Sequence, residues 1–220
     1  MRGFLIGINM KEINNSIWND PFEITSWRCH HGLFGPASFD VINFIKVETE
    51  KFFKELKPCS RILDLGSGAN NRDYFVSSIN TTDIICLDSS FGMLNCNEAK
   101  NKIQAEAKIL PIKSDTIDLC VSIFLLRYLL KDDWTLLLKE IQRVLKQNAQ
   151  FVIIDLEENN YKEQLSVFNP NLLVEVAAKT GFVNLAAHSE NKKLSFRVNL
   201  GGYRGEEIHT YTIGVVTGQK

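Results

Sequence analysis

The sequence has 220 residues, 45% hydrophobic and 23% charged, the composition of a globular chain long enough for one domain with a small appendage. Its 25 Lys plus Arg against 26 Asp plus Glu leave a formal charge of −1, so no overall positive field exists to collect phosphate backbones and a dedicated nucleic-acid binder is disfavoured. No apolar run approaches the roughly 20 residues that span a bilayer, so no membrane partner is expected, and five cysteines without a CxxC pair suit reduced thiols in the cytoplasm.

Residues 1–58 hold aromatic and amphipathic segments without the rhythm of a sheet, and are read as a mainly helical N-terminal cap. Their apolar load, including Trp18 and the stretch from Trp27 to Phe34, must be buried against something, which points to a cap over a cleft that forms part of a substrate pocket. From Arg61 onward short apolar runs alternate with amphipathic stretches, the pattern of a parallel sheet covered on both faces. Strands are predicted at Arg61–Leu65, Ile84–Leu87, Ile103–Ala105, Ile117–Ile123 and Phe151–Asp155. Helices are predicted at Arg72–Ser78, Gly92–Asn101 and Asp132–Leu145, the last with a stripe of Leu136, Leu137, Ile141, Val144 and Leu145. Beyond them the spacing predicts a helix over Asn171–Thr180, stopped by Gly181, and strands at Val183–His188, Leu194–Leu200 and Ile208–Thr217. Residues 59–220 thus read as one α/β core, a doubly wound sheet that is mostly parallel with an antiparallel C-terminal strand.

Chemistry concentrates where the first predicted strand meets Leu65-Gly-Ser-Gly-Ala-Asn70. Gly66 and Gly68 let the backbone turn sharply and approach a ligand with no Cβ in the way. A strand followed by GxG also opens dinucleotide-binding folds and occurs in plain turns. Asp88, closing the second strand 20 positions beyond Gly68, adds an acid at the spacing that receives ribose hydroxyls.

These residues resemble the class I, Rossmann-like S-adenosylmethionine-dependent methyltransferases, over about Arg61 to Asp155. Leu63-Asp-Leu-Gly-Ser-Gly68 is similar to that family's first motif, in which an acid, here Asp64, precedes the glycines. Asp88-Ser-Ser-Phe-Gly-Met-Leu94 is similar to its second strand end, and Glu106-Ala-Lys-Ile-Leu-Pro111 with Asp115-Thr-Ile-Asp118 to the stretch after its third strand. Lys139-Glu-Ile-Gln-Arg-Val-Leu-Lys146 looks like the helix before its fifth. The resemblance implies S-adenosyl-L-methionine as cofactor, held by Asp64, Gly66, Ser67, Gly68, Asn70, Asp88, Ser89, Met93, Glu106, Ala107 and Ser122. Asp88 would grip the ribose, Met93 flank the adenine, Glu106 face its amino group, and the Ala107 amide meet a ring nitrogen. Three positions depart from the family pattern: Asn70 replaces a third glycine, Glu106 replaces an aspartate, and Gln147-Asn148-Ala149 replaces a Pro-Gly-Gly turn, with Asn148 able to supply the left-handed residue.

Methyl transfer from a sulfonium is an in-line displacement, so the protein must align the acceptor, exclude water and assist any deprotonation. In an open α/β sheet the acceptor belongs beyond the carboxyl ends of the strands, which makes Phe124, Arg127, Tyr128 and Asp155, with Trp27 from the cap, the candidate substrate pocket. Arg127 reads either as an anchor for an acidic substrate or as a solvated loop charge. Asp155, Glu157 and Glu158 read either as carboxylates for a cationic acceptor or as a charged helix start. His30 and His31 are the candidate bases, against a reading as surface histidines. His188 and His209 read as structural.

Ser122-Ile-Phe-Leu125 stands where amino-methylating enzymes of adenine or glutamine carry Asn/Asp-Pro-Pro-aromatic, and Cys120 lacks the preceding proline of a cytosine-methylating nucleophile. Asp155 has no convincing carboxylate partner, so no metal is expected. The expected partner is a small-molecule acceptor and the expected assembly a monomer or homodimer. The competing functions are a cofactor-binding protein without transferase activity, an RNA or protein methyltransferase, and an NAD-dependent dehydrogenase, the last weakened because Asn71 occupies the third glycine position of GxGxxG.

Overall fold

Apolar residues on both sides of successive strands require cover on both faces, and the computed structural model, which describes residues 38–69, 83–97, 99–157, 166–200 and 203–220, shows that arrangement. Helix α1 (Ser38–Glu55) is followed by β1 (Arg61–Leu65), β2 (Asp83–Asp88), α2 (Phe91–Cys96), β3 (Asn101–Gln104) and β4 (Ile117–Ile123). A 3-10 turn (Leu126–Tyr128), α3 (Asp133–Val144), β5 (Leu145–Leu156), α4 (Pro170–Lys179), β6 (Val183–Leu200) and β7 (Tyr203–Gln219) complete the described chain.

The seven strands lie in the order β3-β2-β1-β4-β5-β7-β6. Strands β1 to β5 pair in parallel, and β7 inserts antiparallel between β5 and β6. Alternation along the strands sorts side chains to two layers. Leu63, Leu65, Cys120, Phe151 and Ile153 pack against Trp134, Leu137, Leu138 and Ile141 of α3 and Leu173 and Ala177 of α4. Ile62, Leu119, Val121, Val152, Ile154 and Val215 pack against Val41, Phe44, Ile45, Phe52 and Phe53 of α1. Helix α1 is therefore a layer on one sheet face. Residues 1–37, with Trp18, Trp27, His30 and His31, and the predicted helix over 72–78 lie outside the described residues.

Several boundaries differ from the sequence reading for local reasons. Strands predicted separately at Val183–His188 and Leu194–Leu200 are one 18-residue strand, because the intervening polar residues stay paired with β7 from Ser189↔Gly214 to Lys193↔Thr210. Helix α2 stops at Cys96, where Asn97 turns extended and its side chain is drawn to the glycine turn. In α3 the buried stripe is Trp134, Leu137, Leu138, Ile141 and Val144, whereas Leu136 is 51% exposed. An i, i+3, i+4, i+7 set that begins at Trp134 leaves Leu136 on the outer side. Strand β5 starts early at Leu145 and bulges before Gln150, with Asn148 at φ 64° supplying the left-handed turn in place of glycine.

Candidate functional site

The carboxyl ends of β1, β2, β3 and β4 converge because those strands are parallel neighbours. At β1, Gly66 and Gly68 have φ of 74° and 55°. A Cβ on Gly66 would lie 2.9 Å from Leu125 Cδ1, and one on Gly68 would lie 3.3 Å from Met93 Cε. The Gly66 and Ser67 amides both donate to Leu87 O, at 2.8 and 3.1 Å, which stitches the turn to the end of β2.

Asp88 organises the centre of the site. Its Oδ2 accepts the Gly68 N–H at 2.9 Å and its Oδ1 the Ser90 N–H at 2.8 Å. Crowding by the protein raises its carboxyl above the usual carboxylate range, against amide hydrogen bonds from Ser90, Gly68 and Ser89. Asp64, on β1, is 3% exposed. Burial, followed by the nearby Asp88 carboxylate, pushes it up to about 8, while the Cys86 thiol at 3.9 Å pulls the other way. Two acids at adjacent strand ends thus await positive charge.

Glu106 follows β3 exposed, and Ala107 is half-buried. The loop they share is fixed from beneath: Ala105 N donates to Asp88 O at 3.1 Å, and Lys108 Nζ reaches Asp133 of α3 at 3.0 Å. Glu140 accepts Leu110 N at 2.7 Å, while Arg143 donates to Leu110 O and Ile112 O at 2.8 and 2.7 Å. Met93 is buried under the glycine turn, and Ser89 is exposed at its rim. The Ser67 and Ser122 hydroxyls are buried without a hydrogen-bond partner. A glycine cradle, two acids and two unpartnered hydroxyls along one edge fit a ligand that is both cationic and rich in hydroxyl groups. Asn70 lies outside the described residues.

On the acceptor side, Phe124 turns away from β4 at φ 60°, and its amide donates to Ile154 O at 2.8 Å. The Arg127 guanidinium lies 4.8 Å from the Phe124 ring and 5.4 Å from the Tyr128 ring. Its Nε stands 3.3 Å from Oδ1 of Asp155 without the alignment of a hydrogen bond. Arg127 is 4% exposed and Asp155 fully buried, so neither the solvated-loop reading of the one nor the helix-start reading of the other describes its place. Burial raises the Asp155 carboxyl despite the opposing pull of Arg127 and of the Leu156, Arg127 and Leu126 amides. Cys120 is buried in β4 and its thiol is pushed far up, chiefly by burial, which leaves no nucleophilic thiolate.

The sequence reading missed Asn97, whose Nδ2 donates to Gly68 O at 3.0 Å and holds the second glycine from below. It also missed Ser90, whose hydroxyl caps α2 by accepting Met93 N at 3.1 Å. A serine before a short helix is a legible cap, whereas nothing in local spacing ties Asn97 to a glycine 29 positions earlier. Replacing Asp88 by alanine is expected to weaken cofactor binding at least about tenfold, since each lost charge-assisted hydrogen bond is worth about 1.5–3 kcal/mol. Calorimetry on ligand-free protein checks this, and unchanged affinity would place the ribose elsewhere.

The strand order, the glycine turn and the acid at the end of β2 together define a Rossmann-like fold, the one that class I methyltransferases share. Residues 63–153 match the model of the methyltransferase domain family. Over those residues, which are less than half of the chain, the sequence is similar to that family. Among solved structures it is similar to Haemonchus contortus phosphoethanolamine N-methyltransferase 2 in complex with phosphomonomethylethanolamine and S-adenosylhomocysteine, with TM-score 0.69 and 12% identity over 97% of this chain. The chain spans 60% of that enzyme's length. It is also similar to the magnesium protoporphyrin IX methyltransferase of Synechocystis with bound S-adenosylmethionine, with TM-score 0.66 and 10% identity over 99% of this chain and all of that one. A methyltransferase of Archaeoglobus fulgidus matches with TM-score 0.64 and 13% identity, over 91% of this chain and all of that one. At these identities the likeness is one of fold. No curated protein sequence matches the chain.

Proposed function

We propose that the protein binds S-adenosyl-L-methionine at the carboxyl edge of β1 to β4 and transfers its methyl group to a small-molecule acceptor in the cytoplasm. The observation that carries this reading is the Asp88 carboxylate, pinned by the Gly68 and Ser90 amides where the glycine turn meets an acid. Asp88 would receive the ribose hydroxyls, Met93 and the Ala107 backbone would border the adenine, and exposed Glu106 would meet its amino group. Buried Asp64 and the Ser67 and Ser122 hydroxyls would face the cationic amino-acid end. The cofactor supplies a methyl group on a sulfonium, which leaves by in-line displacement; the chain's task is alignment and exclusion of water. Phe124 and Tyr128, flanking the buried Arg127–Asp155 pair, would form the acceptor wall.

A small acceptor is supported by the net charge of −1 and by structural neighbours whose names specify phosphoethanolamine and magnesium protoporphyrin IX. The cytoplasmic assignment rests on Cys59, Cys86, Cys96 and Cys120, which are thiols and not members of disulfides. Among the described residues no helix is long and apolar enough to cross a membrane. The test is incubation with methyl-labelled cofactor and a deproteinised metabolite extract, followed by mass spectrometry. A labelled small molecule supports the reading; cofactor that binds but never gives up its label would favour a binding protein without transferase activity.

One further expectation follows from Asp64. Its carboxyl is raised from 3.8 to about 8 in the fold, so the folded state holds this proton more tightly than the unfolded chain does. Stability from this group is complete below its unfolded value and drains as pH rises towards the folded value, by up to about 1.4 kcal/mol per pH unit. Asp64→Asn, which cannot ionise, should therefore gain thermal stability over the unsubstituted protein at pH 8 much more than at pH 5. Equal gains at both values, read by calorimetric melting without cofactor, would show Asp64 to be solvated.

A further inference from the structure

Outside the cofactor cleft, the described residues line a half-open cavity of about 410 Å³ beyond the end of β5, between the start of α4 and the middle of β6. Its wall carries Lys131, Glu157, Asn169, His188 and Ser189, and only part of it, including Phe168, is apolar. A buried charge in a hollow of this kind is costly unless it is satisfied, and one of these, on Glu157, is not.

The Glu157 Oε1 atom is buried without a hydrogen-bond partner. Its backbone is fixed, since Glu157 N donates to Thr212 O at 3.0 Å. Gly214 opposite leaves room for it: a Cβ there would stand 2.8 Å from the same Oε1. Lys131 lies exposed on the same wall, and among the described residues its ammonium pairs with no acid. By contrast, His188 Nε2 lies 3.3 Å from Glu48 of α1, and Glu48 also holds Lys51 at 2.9 Å, so those groups are engaged with one another. The start of α4 adds little pull for an anion, because Asn169 already caps Leu172 N and Pro170 has no N–H to give. The cavity therefore offers one buried carboxylate oxygen and one exposed ammonium, both without a protein partner among the described residues.

We propose that this cavity is a binding site for a small zwitterion whose amine meets Glu157 and whose anionic group meets Lys131. A simple cation meets the buried Glu157 oxygen but gains nothing from the solvated Lys131 ammonium on the same wall, and a simple anion leaves the Glu157 oxygen bare. Asn169 and Ser189 supply neutral hydrogen-bonding groups between the charges, and Phe168 borders an apolar spacer.

The probes are straight-chain ω-amino acids of three to eight carbons, with hexanoate and hexylamine as carriers of one charge each, titrated into the full chain by ligand-observed NMR. One chain length should bind saturably, and at least about tenfold more tightly than either single-charge control, one such step being about 1.4 kcal/mol. Glu157→Gln and Lys131→Met should each abolish that preference while leaving S-adenosylmethionine affinity and melting temperature unchanged. Absence of saturable binding across the series, or equal binding by both variants and the unsubstituted chain, would overturn the site. The outcome is independent of the methyltransferase reading: cofactor affinity tests the cleft, and the amino-acid series tests this cavity.

Discussion

Gly66→Val is expected to abolish measurable cofactor binding and to lower folding stability by about 2–5 kcal/mol. The stability loss has two sources. Gly66 sits at φ 74°, where a β-branched residue is strained by about 1–2 kcal/mol. Its new Cβ would also lie 2.9 to 3.1 Å from the Leu125 side chain, and overpacking of that kind costs about 1–3 kcal/mol. Leu125 has little freedom to retreat, because its carbonyl accepts Tyr128 N at 3.0 Å and so anchors the 3-10 turn. Binding suffers separately, since the valine side chain occupies the approach that the glycine leaves open. Gly66→Ala separates the two, keeping most of the backbone strain with less bulk, and should retain weak binding. Calorimetry and denaturant melts of both variants check this; a valine variant that binds at the original affinity would remove the glycine turn from the site.

Arg127→Met is expected to destabilise the protein by about 3–5 kcal/mol at neutral pH, as loss of one partner of a buried ion pair does. Asp155 is completely buried, and with Arg127 gone it keeps only neutral partners, such as the Leu156 amide at 2.8 Å. The deficit should shrink as pH falls, because burial already raises the Asp155 carboxyl and protonation removes the stranded charge. Arg127→Met with Asp155→Asn should recover much of the loss. Urea titrations at pH 5 and pH 7.5 decide the matter, and a single variant as stable as the original protein would show the pair to be dispensable. Ser166 would report the same event locally, since its amide and hydroxyl bond to Arg127 O and Leu126 O at 3.2 Å each.

The sheet was legible because burial and periodicity coincide there: Ile62 to Leu65, Cys86 to Leu87 and Leu119 to Ile123 are buried on both faces and mostly apolar, as central parallel strands must be. The hairpin of β6 and β7 was less so, because its middle carries Ser189 to Lys193, a polar run that reads as a break although its backbone remains paired. In the site, Gly66, Gly68 and Asp88 were visible as a strand end, a turn and an acid at a fixed spacing, and the structure joins Gly68 to Asp88 by one hydrogen bond and Gly66 to the neighbouring Leu87 carbonyl by another. Asn148 likewise takes the left-handed conformation that its turn needed. Arg127 and Asp155 were singled out as pocket residues, but 28 positions of sequence separation gave no sign that they face each other in the core. Glu140 and Arg143 looked like ordinary helix charges; only the fold shows them clasping the loop that carries Glu106 and Ala107.

The central claim is that this edge of the sheet is built for S-adenosylmethionine, and competitive calorimetry on ligand-free protein tests it most directly. Titration with S-adenosylmethionine, S-adenosylhomocysteine and NAD should give saturable binding of the first two, weakened by Asp88→Ala, and none of the dinucleotide. Tight binding of NAD with no heat from either adenosyl compound would contradict the account.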